Sequence, residues 1–159
     1  MKLNTGLVAI LTAATFLSAP PATAQAENYE YWISGERFTC TADSGRVPIR
    51  IDNYLPDLAI ARIYLDGSAH ITINDRQLGQ LEPIVQAFVF AHECAHHIGP
   101  TKGESWADCW AASELRRRGI VQNYGQLVTI MRAFGSGPGS PYGHLPGPAR
   151  AELIRACSR

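Results

Sequence analysis

Apolar and polar residues alternate along the front half of the chain, which predicts short strands. Residues 47–51 (Val-Pro-Ile-Arg-Ile) place an apolar side chain at every second position, as in a strand with one buried face. Two further strands are expected at residues 59–65 and 70–74, because an Asp-Gly pair at 66–67, typical of a hairpin turn, separates them. Residues 28–40 mix aromatic and polar side chains and predict a further short strand or an ordered arm. The front half therefore predicts a small antiparallel or mixed sheet.

In the back half, apolar residues recur every three to four positions, which predicts helices. The first helix is expected over residues 82–98, where Gly99 and Pro100 end it. A loop rich in Gly, Pro and Ser occupies residues 135–147. Three more helices are expected at residues 104–118, 123–134 and 148–157. The predicted fold class is therefore α+β, with the sheet packed on a helical core.

The first 24 residues are predicted to be a secretory signal peptide. Lys2 supplies a short positive region, an apolar stretch follows, and Ala22-Thr23-Ala24 matches a small-residue cleavage site. Cleavage is expected after Ala24, with Ala26 as the alternative site. An uncleaved N-terminal anchor is the other interpretation. Residues 25–159 then form a single domain that is secreted or periplasmic and has no membrane segment.

Charge excludes one large class of partner. The 159 residues carry 14 basic and 14 acidic side chains, which gives a formal net charge of zero. A chain without an excess of Lys and Arg cannot neutralise many phosphates, so no nucleic-acid partner is expected.

Four cysteines, Cys40, Cys94, Cys109 and Cys157, lie in the predicted mature chain. An even number of cysteines in an exported protein favours disulfides, and the sequence contains no Cys-x-x-Cys pair of the kind found in zinc ribbons. Four cysteines allow three pairings. The composition therefore predicts a disulfide-stapled domain in an oxidising compartment.

The first candidate for chemistry is a His-Glu-x-x-His motif formed by His92, Glu93 and His96. Residues four apart on a helix differ by about 40° around its axis, so both imidazoles can share one metal ion. Glu93 lies about 100° from His92, beside the metal rather than on it. Glu93 is therefore expected to act as the general base on a water molecule.

A pair of carboxylates follows on the next predicted helix. Glu104 and Asp108 are also four residues apart and share one helix face. We expect Glu104 to be the third ligand of one Zn²⁺ ion and Asp108 to orient a ligand histidine. The alternative is an acidic helix N-terminus without a metal. His97 points away from the ligand face, and His70 lies in a predicted strand, so neither is expected to bind the metal.

These motifs resemble those of the gluzincin zinc metallopeptidases. His-Glu-x-x-His followed by Glu-x-x-Ala-Asp is most similar to the family of CAAX prenyl endopeptidases and periplasmic chaperone-proteases. The resemblance covers roughly residues 56–155 and implies a zincin-like helical core. Three departures from the family pattern are present. Only seven residues separate His96 from Glu104, which is far fewer than in the membrane members of the family. Leu145 stands where the family has a proline after the histidine of its last motif. Cys94 and Cys109 have no general counterpart in the family.

The resemblance also implies roles for residues outside the two motifs. It implies that His144 approaches the metal, either to stabilise the transition state or as an extra, inhibitory ligand; Tyr142 and Tyr124 are the other candidate donors. Arg150 would anchor the loop, with Asp108 as its expected partner. Residues 60–65 would be an edge strand to which a peptide or unfolded-protein substrate adds as an extra strand. No residue can be assigned to a specificity pocket.

The position of the cysteines in the motifs suggests a pairing. Cys94 lies opposite the His92/His96 face, and Cys109 directly follows Asp108. A Cys94–Cys109 disulfide would clamp the two helices that carry the metal ligands. The expected second disulfide is then Cys40–Cys157, which ties the N-terminal arm to the last helix.

The sequence therefore predicts a secreted or periplasmic zinc endopeptidase, with Glu93 and His144 as catalytic residues and His92, His96 and Glu104 as zinc ligands. Two other classes stay open. One is a zinc-binding chaperone or adaptor domain that hydrolyses nothing. The other is a structural, disulfide-stapled export protein that binds no metal.

Overall fold

The computed structural model describes residues 27–140 and 143–158, so the predicted signal peptide lies outside the described residues. Within them, the front half is built of short strands and the back half of helices. The strands are β1 (Tyr31–Ile33), β2 (Glu36–Phe38), β3 (Thr41–Ala42), β4 (Gly45–Arg46), β5 (Ile49–Ile51), β6 (Ala59–Ile63) and β7 (Ala69–Ile73). The helices are α1 (Asp75–Leu78), α2 (Pro83–Ile98), α3 (Glu104–Arg117), α4 (Tyr124–Phe134) and α5 (Gly147–Cys157).

The described strands form two hairpins and one mixed sheet. β1 pairs with β2 and β3 pairs with β4, both antiparallel. The mixed sheet has the order β5-β7-β6, in which β5 is parallel to β7 and β6 is antiparallel to it. The prediction of an α+β fold with a small mixed sheet is confirmed. The boundaries of β5, β6, β7 and the four long helices lie within two residues of those predicted.

Strand β6 presents a free backbone edge. At its two ends, Asn74 N–H donates to Leu58 O and Tyr64 N–H donates to Ser68 O. Residues in an antiparallel pair alternate between bonding the partner strand and facing away from it. The backbone groups of Ala59, Ala61 and Ile63 therefore point away from β7, toward the outer edge of the sheet.

Helix α2 is the central element of the core. It begins with a proline at its first position, which fits because that N–H has no partner within the helix. One face packs on the front strands, where the Phe90 ring stacks on Tyr31 and meets Phe38 edge-on. Ala87, Phe88 and Ala95 are each at most 1% exposed. The apolar residues that predict this helix are thus buried in the core, where they contact neighbours on several sides of the helix.

Helices α3 and α4 pack on α2, and local signals define where the later helices begin. α4 begins with a capping box, in which Asn123 and Gln126 exchange side-chain and backbone hydrogen bonds. α5 has a proline in its first turn and contacts both α3 and α4. α5 therefore bridges α3 and α4.

The disulfide pairing differs from the one predicted. The structure joins Cys40 to Cys94 and Cys109 to Cys157, so the predicted Cys94–Cys109 and Cys40–Cys157 bonds are wrong. Cys94 faces the core, where β3 packs on α2, and therefore meets Cys40 at the start of that hairpin. Cys109 lies on the side of α3 that α5 covers. Two disulfides are typical of proteins that fold in an oxidising compartment.

Among the described residues, none of the helices combines the length and the apolar character needed to cross a bilayer.

The disulfide assignment gives the first testable prediction. A proteolytic digest without reductant should yield linked peptides that contain Cys40 with Cys94 and Cys109 with Cys157. Replacing Cys40 and Cys94 together by Ser should lower the free energy of unfolding by about 4 kcal/mol, the loop-closure value for a loop of about 50 residues. Mass spectrometry and urea unfolding measure the two quantities. A peptide linking Cys94 to Cys109 would contradict the structure.

Candidate metal centre

The two helices that carry the predicted ligands meet through a tight turn. His92 and His96 lie one turn apart on α2, and Glu104 is the first residue of α3. Gly99 permits this approach, because a side chain at that position would lie 2.7 Å from the Trp106 ring. The short connection predicted from the sequence thus places the start of α3 beside the end of α2.

Three side-chain atoms converge at this junction. His92 Nε2 lies 2.9 Å from Glu104 Oε2 and 3.1 Å from His96 Nε2, and His96 Nε2 lies 3.4 Å from Glu104 Oε2. Bonds of about 2.0–2.1 Å to a tetrahedral Zn²⁺ separate neighbouring ligand atoms by about 3.3 Å. The triangle therefore has the size of one face of a zinc coordination tetrahedron. His92, His96 and Glu104 form a group that could hold a metal ion.

Asp108 fixes the orientation of the first histidine. Its Oδ1 lies 2.8 Å from His92 Nδ1, and Arg150 binds both oxygens of the same carboxylate at 2.7 and 2.8 Å. A carboxylate at Nδ1 keeps the proton on that nitrogen, which leaves the Nε2 lone pair for a metal. The structure brings together Asp108 and Arg150, the pair suggested by the family resemblance.

The electrostatics of the cluster favour a positive charge. Burial lowers the pKa of His92, but hydrogen bonds to Asp108 and Glu104 outweigh burial and raise it to about 9. Burial raises the pKa of Glu104, yet hydrogen bonds from His144, His92 and His96 hold that pKa well below its usual range. Two ionised carboxylates therefore surround His92 and stabilise a cation at this point.

Glu93 lies beside the ligand triangle and is held by the sheet. Its Oε2 accepts a hydrogen bond of 2.7 Å from Ala61 N–H on the outer edge of β6. Burial raises the pKa of Glu93, and the neighbouring His92 and His96 offset only part of this effect. The Glu93 carboxylate is thus held in one position, and its raised pKa favours proton uptake.

His144 closes the other side of the cluster. Its Nε2 lies 2.8 Å from Glu104 Oε2, and its ring stacks on that of His92 with a centroid distance of 5.4 Å. Ser140 Oγ lies 2.9 Å from His144 Nδ1 and fixes the ring from behind. Gly143 has a φ of +109°, a backbone conformation that favours glycine, and this turn carries His144 toward Glu104.

The other predicted candidates lie elsewhere. Tyr142 lies outside the described residues, whereas Tyr124 is 62% exposed at the start of α4 and lines a different depression. His97 is buried, contacts the backbone of His70, and has no hydrogen-bond partner for Nε2 among the described residues. His97 and His70 are not part of the ligand triangle.

The three atoms of the ligand triangle lie in one open cleft of about 730 Å³, which is also lined by Glu93, His144 and Arg150 but not by Asp108. One wall is the outer edge of β6, and the opposite wall is formed by α2 and the segment around His144. Phe88, Val89 and Phe134 make one end of the cleft apolar. The cleft has the volume of a small-molecule or peptide site.

Comparison with models of protein families, with curated proteins and with solved structures found no match to this chain. The resemblance to gluzincins therefore rests on the residues of the motifs and stays a prediction.

Two contributors to the site are not identified by sequence reasoning. One is the Ala61 N–H, a backbone group that no side-chain pattern marks. The other is Ser140 as the partner of His144, for which the only signal is a spacing of four residues within a loop.

Metal content gives the second prediction. The purified oxidised protein should contain one zinc per chain, and Glu104→Gln should lose it because a neutral amide is a poor zinc ligand. Inductively coupled plasma mass spectrometry of dialysed samples measures the stoichiometry. Glu114→Gln, a change at a half-buried carboxylate nearly three turns further along the same helix, should keep the metal. A folded wild-type protein without zinc would favour the purely structural class.

Proposed function

We propose that this protein is an exported zinc-dependent endopeptidase that hydrolyses peptide bonds in extended polypeptides. The observation that carries the proposal is the position of Glu93, whose carboxylate lies in the same cleft as a triangle of ligand atoms and is anchored by Ala61 N–H. Two imidazoles and one carboxylate form a typical catalytic zinc set, since three protein ligands leave a position open.

The chemistry divides between the metal and the protein. When bound, zinc supplies Lewis acidity, which makes water a nucleophile at neutral pH. Glu93 takes the proton from the water and later passes it to the leaving amine. Ala61 N–H keeps the Glu93 carboxylate in one orientation, and Asp108 keeps His92 in one tautomer. His144 Nε2, which contacts Glu104 Oε2 in this structure, would turn to donate to the carbonyl oxygen as negative charge develops there.

The edge of β6 supports an extended substrate. The backbone groups of Ala59 and Ile63 and the carbonyl of Ala61 face the cleft, whereas Ala61 N–H is bonded to Glu93. A peptide that adds to this edge makes main-chain hydrogen bonds without regard to its sequence. Its backbone would run past the metal centre, so the substrate class is a peptide or an unfolded protein segment.

The disulfides and the predicted signal peptide support the exported location in this proposal. Two disulfides indicate folding under oxidising conditions. We place the mature protein in the periplasm or outside the cell.

The third prediction separates metal binding from catalysis. Glu93→Gln should keep one zinc per chain and reduce kcat/KM by at least about 10²-fold, because the amide can still accept from Ala61 N–H but cannot take a proton. Mass-spectrometric detection of cleavage in a denatured-protein substrate measures the rate. Glu82→Gln, an exposed change at the start of the same helix, serves as the control and should retain activity. Undiminished hydrolysis by Glu93→Gln would refute the role of the base.

A second candidate function is a zinc-binding domain that holds polypeptides without cleaving them. The contact of His144 Nε2 with Glu104 Oε2 favours it, because a histidine this close to the ligand triangle can occupy the fourth metal position. In that case the β6 edge would serve as a chaperone or adaptor surface.

The fourth prediction decides between these two roles. With His144 as a transition-state donor, His144→Ala should keep zinc and lower kcat about 10²-fold or more, with little change in KM. Steady-state kinetics on the zinc-loaded variant measure both constants. Hydrolysis that is absent in the wild type but appears in His144→Ala would instead show that His144 blocks the metal.

A further inference from the structure

The cleft has a defined direction. Ala61 on β6 bonds Glu93, whereas the next residue, Arg62, pairs with His70, whose backbone contacts His97 one turn further along α2. β6 and α2 therefore run in the same direction along the two walls. Residues before Ala61 consequently lie at the end of the cleft where α2 contributes its earlier residues.

This end of the cleft is mainly apolar and also carries one arginine and one acidic side chain. Phe88, Val89 and Phe134 form its wall, and the Phe134 ring lies under the Arg150 guanidinium. The charge of Arg150 is neutralised by its bidentate pair with Asp108. The Asp57 carboxylate also lines the cleft, is exposed, and has no hydrogen bond or ion pair with any other described residue.

Asp57 precedes the free edge of β6 by a fixed distance along the chain. Ala59 and Ala61 are two residues apart, which is about 6.6 Å in a strand, and Asp57 lies in the bend before β6, at most about the same distance further back. A peptide paired with the edge advances by the same step per residue. The peptide side chain that comes next to Asp57 is therefore two to four residues away from the one beside Glu93.

We propose that Asp57 is a specificity-determining residue that selects a basic side chain, Lys or Arg, two to four residues from the peptide bond presented to Glu93. The proposal rests on the proposed function, because it assumes that an extended peptide occupies the β6 edge. An unpaired carboxylate at the rim of an apolar wall attracts a cationic group and repels an acidic one. Since the Asp57 carboxylate is exposed, the ion pair should change affinity by about threefold to fivefold.

The test uses three labelled peptides of the same length and backbone that differ only at every third position, which holds Arg, Gln or Glu. This spacing brings one variable side chain near Asp57 in every register. For the zinc-loaded wild type, kcat/KM is measured on all three peptides. For zinc-loaded Glu93→Gln, binding of the same peptides is measured by fluorescence anisotropy, which does not require hydrolysis.

Both measurements are repeated in variants of the rim residue. The wild type should prefer Arg over Gln over Glu by about threefold to fivefold at each step. Asp57→Asn should remove this order and Asp57→Arg should reverse it. Asp43→Asn, an exposed acid in the β3–β4 hairpin that does not line the cleft, should leave the order unchanged. The preference should also weaken at high salt, since exposed charges are screened.

The outcomes distinguish the two proposals. Hydrolysis without a charge preference, or a preference that survives Asp57→Asn, overturns the role of Asp57 and leaves the peptidase standing. A preference in binding that depends on Asp57, without hydrolysis, supports the inference and removes the peptidase. If the protein neither binds nor hydrolyses any of the three peptides, both proposals are overturned.

Discussion

The structure of the site depends on one buried carboxylate. Asp108 is 1% exposed, and an isolated charge at that depth is very unfavourable unless it is paired. Its partners come from two other helices, because His92 lies on α2 and Arg150 on α5. The need to satisfy one charge therefore fixes how three helices meet. Burial raises the pKa of Asp108, but the bonds from His92 and Arg150 lower it by more, so the carboxylate stays ionised.

The sheet acts on the site from the opposite side. β6 is an edge strand of a small mixed sheet, and one of its outward N–H groups holds Glu93. In the function that we propose, a polypeptide would add to the same backbone edge as another strand. Positioning of Glu93 and binding of the polypeptide would then use one row of backbone groups.

Features coded by neighbouring residues could be predicted from the sequence, whereas features that depend on distant partners could not. Helix α2, the β6–β7 hairpin and the grouping of His92 with His96 follow from periodicity and turn residues. The parallel pairing of β5 with β7 does not, because the chain must first pass through β6 at the far edge. The predicted cysteine pairing was wrong because it also depends on partners that are distant in the sequence. Proximity of Cys94 to Cys109 in the motifs carried less weight than the direction each side chain takes from its helix.

The position of Cys94 matters for how the proposed zinc site would be assembled. This cysteine lies between His92 and His96 in sequence, so a chain that has not yet been oxidised offers zinc a soft thiolate next to its intended imidazole ligands. The bond to Cys40 removes that competing ligand and turns it into the core. Metal loaded after oxidation meets one set of ligands, whereas metal loaded before oxidation meets two. If the proposed zinc site is correct, formation of the Cys40–Cys94 disulfide before metal loading would leave the ion a single set of ligands.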